Sequence, residues 1–202
     1  MDSTSCLMMS DSPRSLDELL ERVPGLRKRR SLSAYDLRGM LDRQRRECTW
    51  CGLQVGKGRS KWCSDDCVTA FLHRCSPQHQ VAAVLKRDQG ICRLCGRNVV
   101  ASKRRYAQLI KEVRQRMGVV GWGTMNYEPY RKECERLEKL MGYGRGCWWE
   151  VDHIVPVVEG GGLCGLENLR LLCGACHASE TAALSKRRRK PRGKSSRKSR
   201  KS

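Results

Sequence analysis

Two Cys-x-x-Cys pairs, Cys92 with Cys95 and Cys173 with Cys176, stand far apart in the chain. Each is half of a tetrahedral zinc site, and such a half needs a second pair to close it. Residues 92–176 are therefore expected to fold back on themselves, with everything between the pairs carried as an insertion. A second set is local. In "CTWCGLQVGKGRSKWCSDDC", Cys48 and Cys51 face Cys63 and Cys67 across a Gly-rich, basic spacer. Four thiolates at that spacing suit a structural Zn²⁺ and leave no coordination position open for catalysis. His73 and Cys75 are alternative ligands but are less well placed. Two structural Zn²⁺ ions are the expectation, and Cys134, Cys147 and Cys164 are read as buried thiols rather than ligands.

The compartment follows from the same residues. The chain has thirteen Cys in 202 residues. Its start, "MDSTSCLMMSDSPRS", lacks the pattern of a secretory signal. No run approaches the roughly 18 apolar residues of a membrane span. A soluble protein in a reducing compartment, using paired Cys for zinc, is expected. The formal net charge is +20, and eight thiolates on two Zn²⁺ would bring it to about +16. That sign and size favour a polyanionic partner, most often nucleic acid.

Four segments are expected. Residues 1–45 read as a loosely structured leader with short helices. One begins at Ser15 with a capping-box pattern to Glu18 and lines Leu16, Leu19, Leu20 and Val23 on one face. The other lies around "SAYDLRGMLDRQRR". Residues 46–75 are the four-cysteine finger. Residues 76–184 open on a helix with Ser76 as N-cap and Pro77 as first residue, and carry an insertion at about 97–147. The insertion holds two amphipathic helices. Tyr106, Leu109, Ile110, Val113 and Met117 face inward on the first, and Tyr130, Cys134, Leu137 and Met141 on the second, with the Gly-rich "GVVGWGTMNY" between them. Residues 185–202 form a basic tail, disordered when free, whose Lys186, Arg187, Arg188, Arg189 and Lys190 bind phosphates with little sequence preference.

The stretch "WWEVDHIVPVVEGGGLCGLENLRLLCGACH" reads as a strand ending near Pro156, a glycine loop, a short second strand "LRLLC", and a helix leaving the Cys-x-x-Cys turn. It holds two of the four histidines. "VDH", "EGG", "LENLRLLC" and "CGACH", with the preceding "ICRLCG", resemble the HNH endonucleases, and the resemblance covers roughly residues 76–184. It implies a small, zinc-stabilised α+β fold: an HNH ββα-metal core with a helical insertion. The four-cysteine zinc finger ahead of it lies outside the resemblance.

The resemblance also implies roles. His153, with an ordinary pKa of about 6.5, would be the general base that takes a proton from water. Asp152 and His177 would hold a catalytic divalent ion, Mg²⁺ or Mn²⁺ by the oxygen–nitrogen donor set. Asn168 would orient the base or its loop, or, as in some members, approach the metal. Thr181 stands where some members carry a further His, leaving two firm protein ligands. Neighbouring strand residues point to opposite faces, so Asp152 and His153 share a site only where the strand twists or ends.

The expected function is metal-dependent hydrolysis of DNA phosphodiesters. The alternatives are a non-catalytic, zinc-stabilised nucleic-acid-binding protein on the same scaffold, and an adaptor acting through the first finger. The location would be cytoplasmic or nucleoid-associated in a bacterium and nuclear in a eukaryote. Target sequence, nick versus double-strand cut, and oligomeric state are not written in these residues.

Overall fold

The computed structural model describes residues 13–118 and 127–189. Lys190, the rest of the tail, the first twelve residues and most of the predicted glycine linker lie outside them. Among the described residues there are seven α-helices and one two-stranded sheet, so the protein is a small α+β fold. None of these helices is long and apolar enough to cross a membrane. The chain forms two compact units, Met1–Arg93 with Val151–Leu171, and Leu94–Glu150 with Leu172–Ser202.

The first unit begins with α1, Leu16–Arg22. The Glu18 amide donates to Ser15 Oγ at 3.2 Å, as the capping pattern predicts, while the Glu18 carboxylate reaches past the cap to the Arg14 amide at 2.7 Å. A 3₁₀ turn over Pro24–Lys28 and α2, Ala34–Met40, follow. Two helices of seven residues cannot stand alone, which is why the sequence suggested a loose leader. The structure corrects this. Leu16, Leu19, Leu20, Leu26, Leu32, Leu37 and Leu41 pool their side chains into one buried cluster with Phe71, Cys75 and Leu163. The exception is Val23, which caps the helix and stays 45% exposed.

The finger packs on this cluster through Trp50 and Trp62. Thr49, fully buried, donates its amide to Lys61 O at 2.8 Å, pinning one cysteine arm to the other. The second arm runs into α3, Asp65–Cys75, capped by Ser64. Helix α4, Pro77–Arg87, packs against α3. Its Ser76 takes the N-cap position, but the hydroxyl pairs with His79 Nδ1 at 2.8 Å instead of capping. Gln80, not an expected core residue, is buried and donates to His73 O at 3.0 Å.

The sheet consists of β1, Trp149–His153, and β2, Leu169–Cys173. β1 stops three residues short of the expected Pro156. Beyond it Ile154 and Val155 are about half exposed, at 52% and 48%, and a 3₁₀ turn over Val157–Glu159 replaces the strand.

In the second unit α5, Val99–Arg116, and α6, Tyr127–Met141, pack together as the predicted hairpin. Val113 and Leu137 are buried, and Tyr106 donates to Glu138 Oε1 at 3.1 Å. The Trp148 ring stacks obliquely against Tyr106 and Tyr143, with centroids 4.8 and 5.0 Å apart. Helix α7, Gly174–Arg188, takes in Lys186, Arg187 and Arg188. The first residues of the predicted disordered tail are thus its last turn, where cations complement the helix dipole.

Candidate active site

Asp152, His153 and Asn168 all belong to the first unit, the first two at the end of β1 and Asn168 closing the 3₁₀ turn just before β2. Asn168 is hydrogen-bonded at both ends of its amide. Its Oδ1 accepts from the Val155 amide at 2.8 Å, and its Nδ2 donates to Gly161 O at 2.9 Å and Val155 O at 3.2 Å. Its backbone carbonyl accepts from the Ile154 amide at 2.8 Å. One side chain thereby ties the segment just after His153 to the glycine loop. This geometry spends both amide hydrogens and one lone pair of Oδ1 on holding the loop.

Strand β1 ends at His153, which meets one condition for Asp152 and His153 to serve one site. Burial holds the His153 imidazole below its ordinary pKa, the field of Arg30 adds to this, and Asp152 opposes it. The ring is therefore neutral at neutral pH, the state a general base needs. Asp152 Oδ2 accepts from Arg170 Nη2 at 3.0 Å and Nε at 3.3 Å. Arg170 was not singled out from the sequence. Its place on β2, which pairs with β1, was the available signal.

Two further supports escaped the sequence reading. Arg87 and Asp88 form a clamp under β2. Arg87 donates to Leu166 O at 2.6 Å and Leu169 O at 2.8 Å, and the nearly buried Asp88 accepts from the Leu171 amide at 3.1 Å. The Arg87 guanidinium holds the Asp88 carboxyl below the usual range, against its burial. The other is the "LRKRR" run. The Gly162 amide donates to Arg27 O at 2.7 Å and the Leu163 amide to Arg29 O at 3.0 Å. A Cβ on Gly162 would meet Arg29 O at 2.1 Å, so only glycine permits this approach. Arg27 and Arg74 line, with Gly160, Gly161, Gly162 and Asn168, an open cavity of about 320 Å³.

His177 lies in the first turn of α7, in the second unit. Its Nδ1 is buried with no hydrogen-bond partner among the described residues. Such a nitrogen fits a metal ligand. Thr181, where a further His is possible, donates its hydroxyl to His177 O at 2.9 Å.

Of the predicted zinc ligands, Cys48, Cys51, Cys63 and Cys67 come together in the first unit with all four sulphurs within 4.8 Å of one another. Burial raises the Cys48 thiol, but backbone hydrogen bonds from Cys51, Cys63 and Trp50 outweigh it and bring it down to about 6. Burial pushes Cys67 up to about 12. The alternative ligand Cys75 is instead part of the leucine cluster. In the second unit Cys95, Cys173 and Cys176 also lie within 4.8 Å of one another. Cys92, at the end of the first unit, is buried. These cysteine groups are able to hold zinc.

The HNH endonuclease family matches residues 133–183. The chain is 34% identical over 137 residues to the human "DNA annealing helicase and endonuclease ZRANB3", covering 67% of this chain and 12% of that protein. It is 35% identical over 130 residues to the mouse protein of the same name, covering 64% and 12%. The chain thus spans about 12% of the length of these relatives. The crystal structure of the human ZRANB3 HNH domain matches at 30% identity, over 55% of this chain and 96% of that one, with a TM-score of 0.28.

Proposed function

The chain belongs to the HNH endonuclease family through residues 133–183, and from that premise we propose that it hydrolyses phosphodiester bonds in DNA with a divalent metal ion. The observation that carries the reading is the constellation in the first unit. A neutral His153 closes a strand beside Asp152, and Asn168 uses both ends of its amide to hold the loop that follows.

In this reading His153 takes a proton from the water that attacks phosphorus. Asn168 acts through position alone, keeping the backbone behind the imidazole from moving. Asp152 and His177 supply oxygen and nitrogen donors for the ion, Mg²⁺ or Mn²⁺. When bound, that ion offsets charge on the phosphate and on the leaving 3′ oxygen. Arg27, whose carbonyl docks on the glycine loop, and Arg30 attract the phosphate backbone, as does the basic end of α7. Cys48, Cys51, Cys63 and Cys67 hold one structural Zn²⁺, and Cys92 joins Cys95, Cys173 and Cys176 for a second. DNA as the substrate is supported by the charge of +20 and by the names of the relatives.

A second reading has one observation in its favour. Arg170 already occupies Asp152 Oδ2, as it would in a scaffold that binds nucleic acid without cutting it. Plasmid cleavage with Mg²⁺ or Mn²⁺ separates the two. The wild-type chain should nick or cut, and His153→Ala should lose at least about 100-fold, the usual share of a general base. Equal cutting by both proteins excludes this site, and no cutting by either favours the scaffold.

A further inference from the structure

Cys147, Glu150 and His177 place one sulphur, one carboxylate oxygen and one ring nitrogen within 4.8 Å of one another, all in the second unit. From the sequence alone Cys147 reads as a buried thiol, and Glu150 has no assigned task. We propose that the three form a further metal site, taking a zinc-class divalent ion.

The scaffold under them is rigid. Gly144 and Cys147 bridge each other, the Cys147 amide donating to Gly144 O at 3.0 Å and the Gly144 amide to Cys147 O at 3.1 Å. Arg145 and Gly146 turn the chain between them at φ 50° and 76°. This turn presses backbone to backbone on the first residue of α7, where a Cβ on Gly144 would lie 2.7 Å from Gly174 C. The Gly174 amide donates to Trp148 O at 3.1 Å, and the Ala175 amide to Gly142 O at 3.0 Å. Cys147 and His177 are therefore fixed relative to each other by main chain. Glu150 is the second residue of β1, and its side chain is exposed enough to adjust.

The donor set selects the ion. A thiolate with an imidazole and a carboxylate suits Zn²⁺ or a similar transition ion and disfavours Mg²⁺ and Ca²⁺, which prefer all-oxygen shells. Three protein ligands leave a fourth tetrahedral position for water. The independent mark is the buried, unpartnered His177 Nδ1. A buried imidazole nitrogen without a partner is costly, and an ion at this site satisfies the ring. In sharing His177, the inference rests on the proposed catalytic reading. It corrects one part of that reading: His177 serves the thiophilic ion with Cys147 and Glu150, and the Mg²⁺ or Mn²⁺ ion is left to Asp152, substrate phosphate and water.

The test is metal content, not cleavage. The full chain, purified from zinc-supplemented culture and dialysed against a weak chelator, should carry about three Zn per chain by mass spectrometry. Cys147→Ser and His177→Ala should each carry one fewer, with unchanged far-UV circular dichroism. Asp152→Ala, which removes the other proposed ligand of the nuclease ion, should keep all three. A wild-type chain with two Zn, or a Cys147→Ser chain that keeps three, overturns the site. So does an Asp152→Ala chain that drops to two, because the third ion then belongs to Asp152. None of these counts depends on whether the protein cuts DNA.

Discussion

The two units hold themselves together by different means. The first has a cluster of eight leucines with Phe71, drawn from elements scattered between Leu16 and Leu163. The second relies on one helical hairpin, a Tyr106–Trp148–Tyr143 contact and the thiols at the base of α7. A leucine core is stable in itself once enough area is buried. A thiol cluster contributes to folding only with its metal, and structural zinc supplies about 10–16 kcal/mol in small peptides. The first unit carries a thiol group as well, in its finger, so the difference predicts which elements fail when metal is withdrawn. Strong chelation should erase hydrogen-exchange protection in α7 and in the finger between Cys48 and Cys67, while α1 and α2, held by leucines, keep much of theirs. The converse is Leu37→Ala. Leu37 is fully buried, so truncation should cost about 2–5 kcal/mol and loosen α1 and α2 before α5 and α6. Loss of protection in α1 and α2 under chelation, or in α5 and α6 as early as in α1 and α2 with Leu37→Ala, would erase the distinction.

Each unit also turns on a close approach that only glycine allows, which gives a smaller and sharper test. A Cβ on Gly162 meets the carbonyl oxygens of Arg29 and Arg27, and one on Gly144 meets the backbone of Gly174. Gly162→Ala should push the "LRKRR" segment off the glycine loop, and Gly144→Ala should shift α7 against its turn. Either should cost about 1–3 kcal/mol, as overpacking does, read from thermal or urea unfolding. The cleavage phenotypes should differ. Gly162→Ala weakens DNA binding through displaced arginines, while Gly144→Ala changes metal content through Cys147 and His177.

The legibility of these features in the sequence follows their range. The finger, the hairpin helices and β2 were readable because spacing within a short window fixes them, whereas Asp152, His153, Asn168 and His177 were singled out by the family resemblance. The leader was not. Leu16 through Leu41 sit in helices too short to be stable locally, and their stability comes from residues such as Phe71 and Leu163 that no local window connects. Val155 and Ile154 misled in the other direction. Their β-branched, apolar character extended the strand to Pro156, but Asn168 captures this backbone with side-chain hydrogen bonds that compete with a ladder. Arg30, Arg170 and Cys147 share one reason for being missed. Each matters through a partner distant in sequence.

The smallest expected effect tests whether the leader belongs to the chemistry. The backbone bonds of Arg27 and Arg29 to the glycine loop dock the run that carries Arg30, and the Arg30 field helps hold His153 below its ordinary pKa. Burial is the larger cause and would remain in Arg30→Ala, so the shift should be partial. Its sign is fixed. Removing a cation makes protonation of the imidazole easier, the His153 pKa rises, and the neutral base is lost at a higher pH as the solution is acidified. The acid limb of the cleavage profile should therefore move to higher pH in Arg30→Ala and return with Arg30→Lys. Well above the pKa His153 is neutral in every variant, so any rate difference there measures phosphate attraction alone and should fade with added salt. A limb that stays in place, with cutting intact, would show either that another group titrates or that Arg30 does not act on His153. Direct titration of the His153 ring by NMR in the Arg30→Ala protein separates those two outcomes.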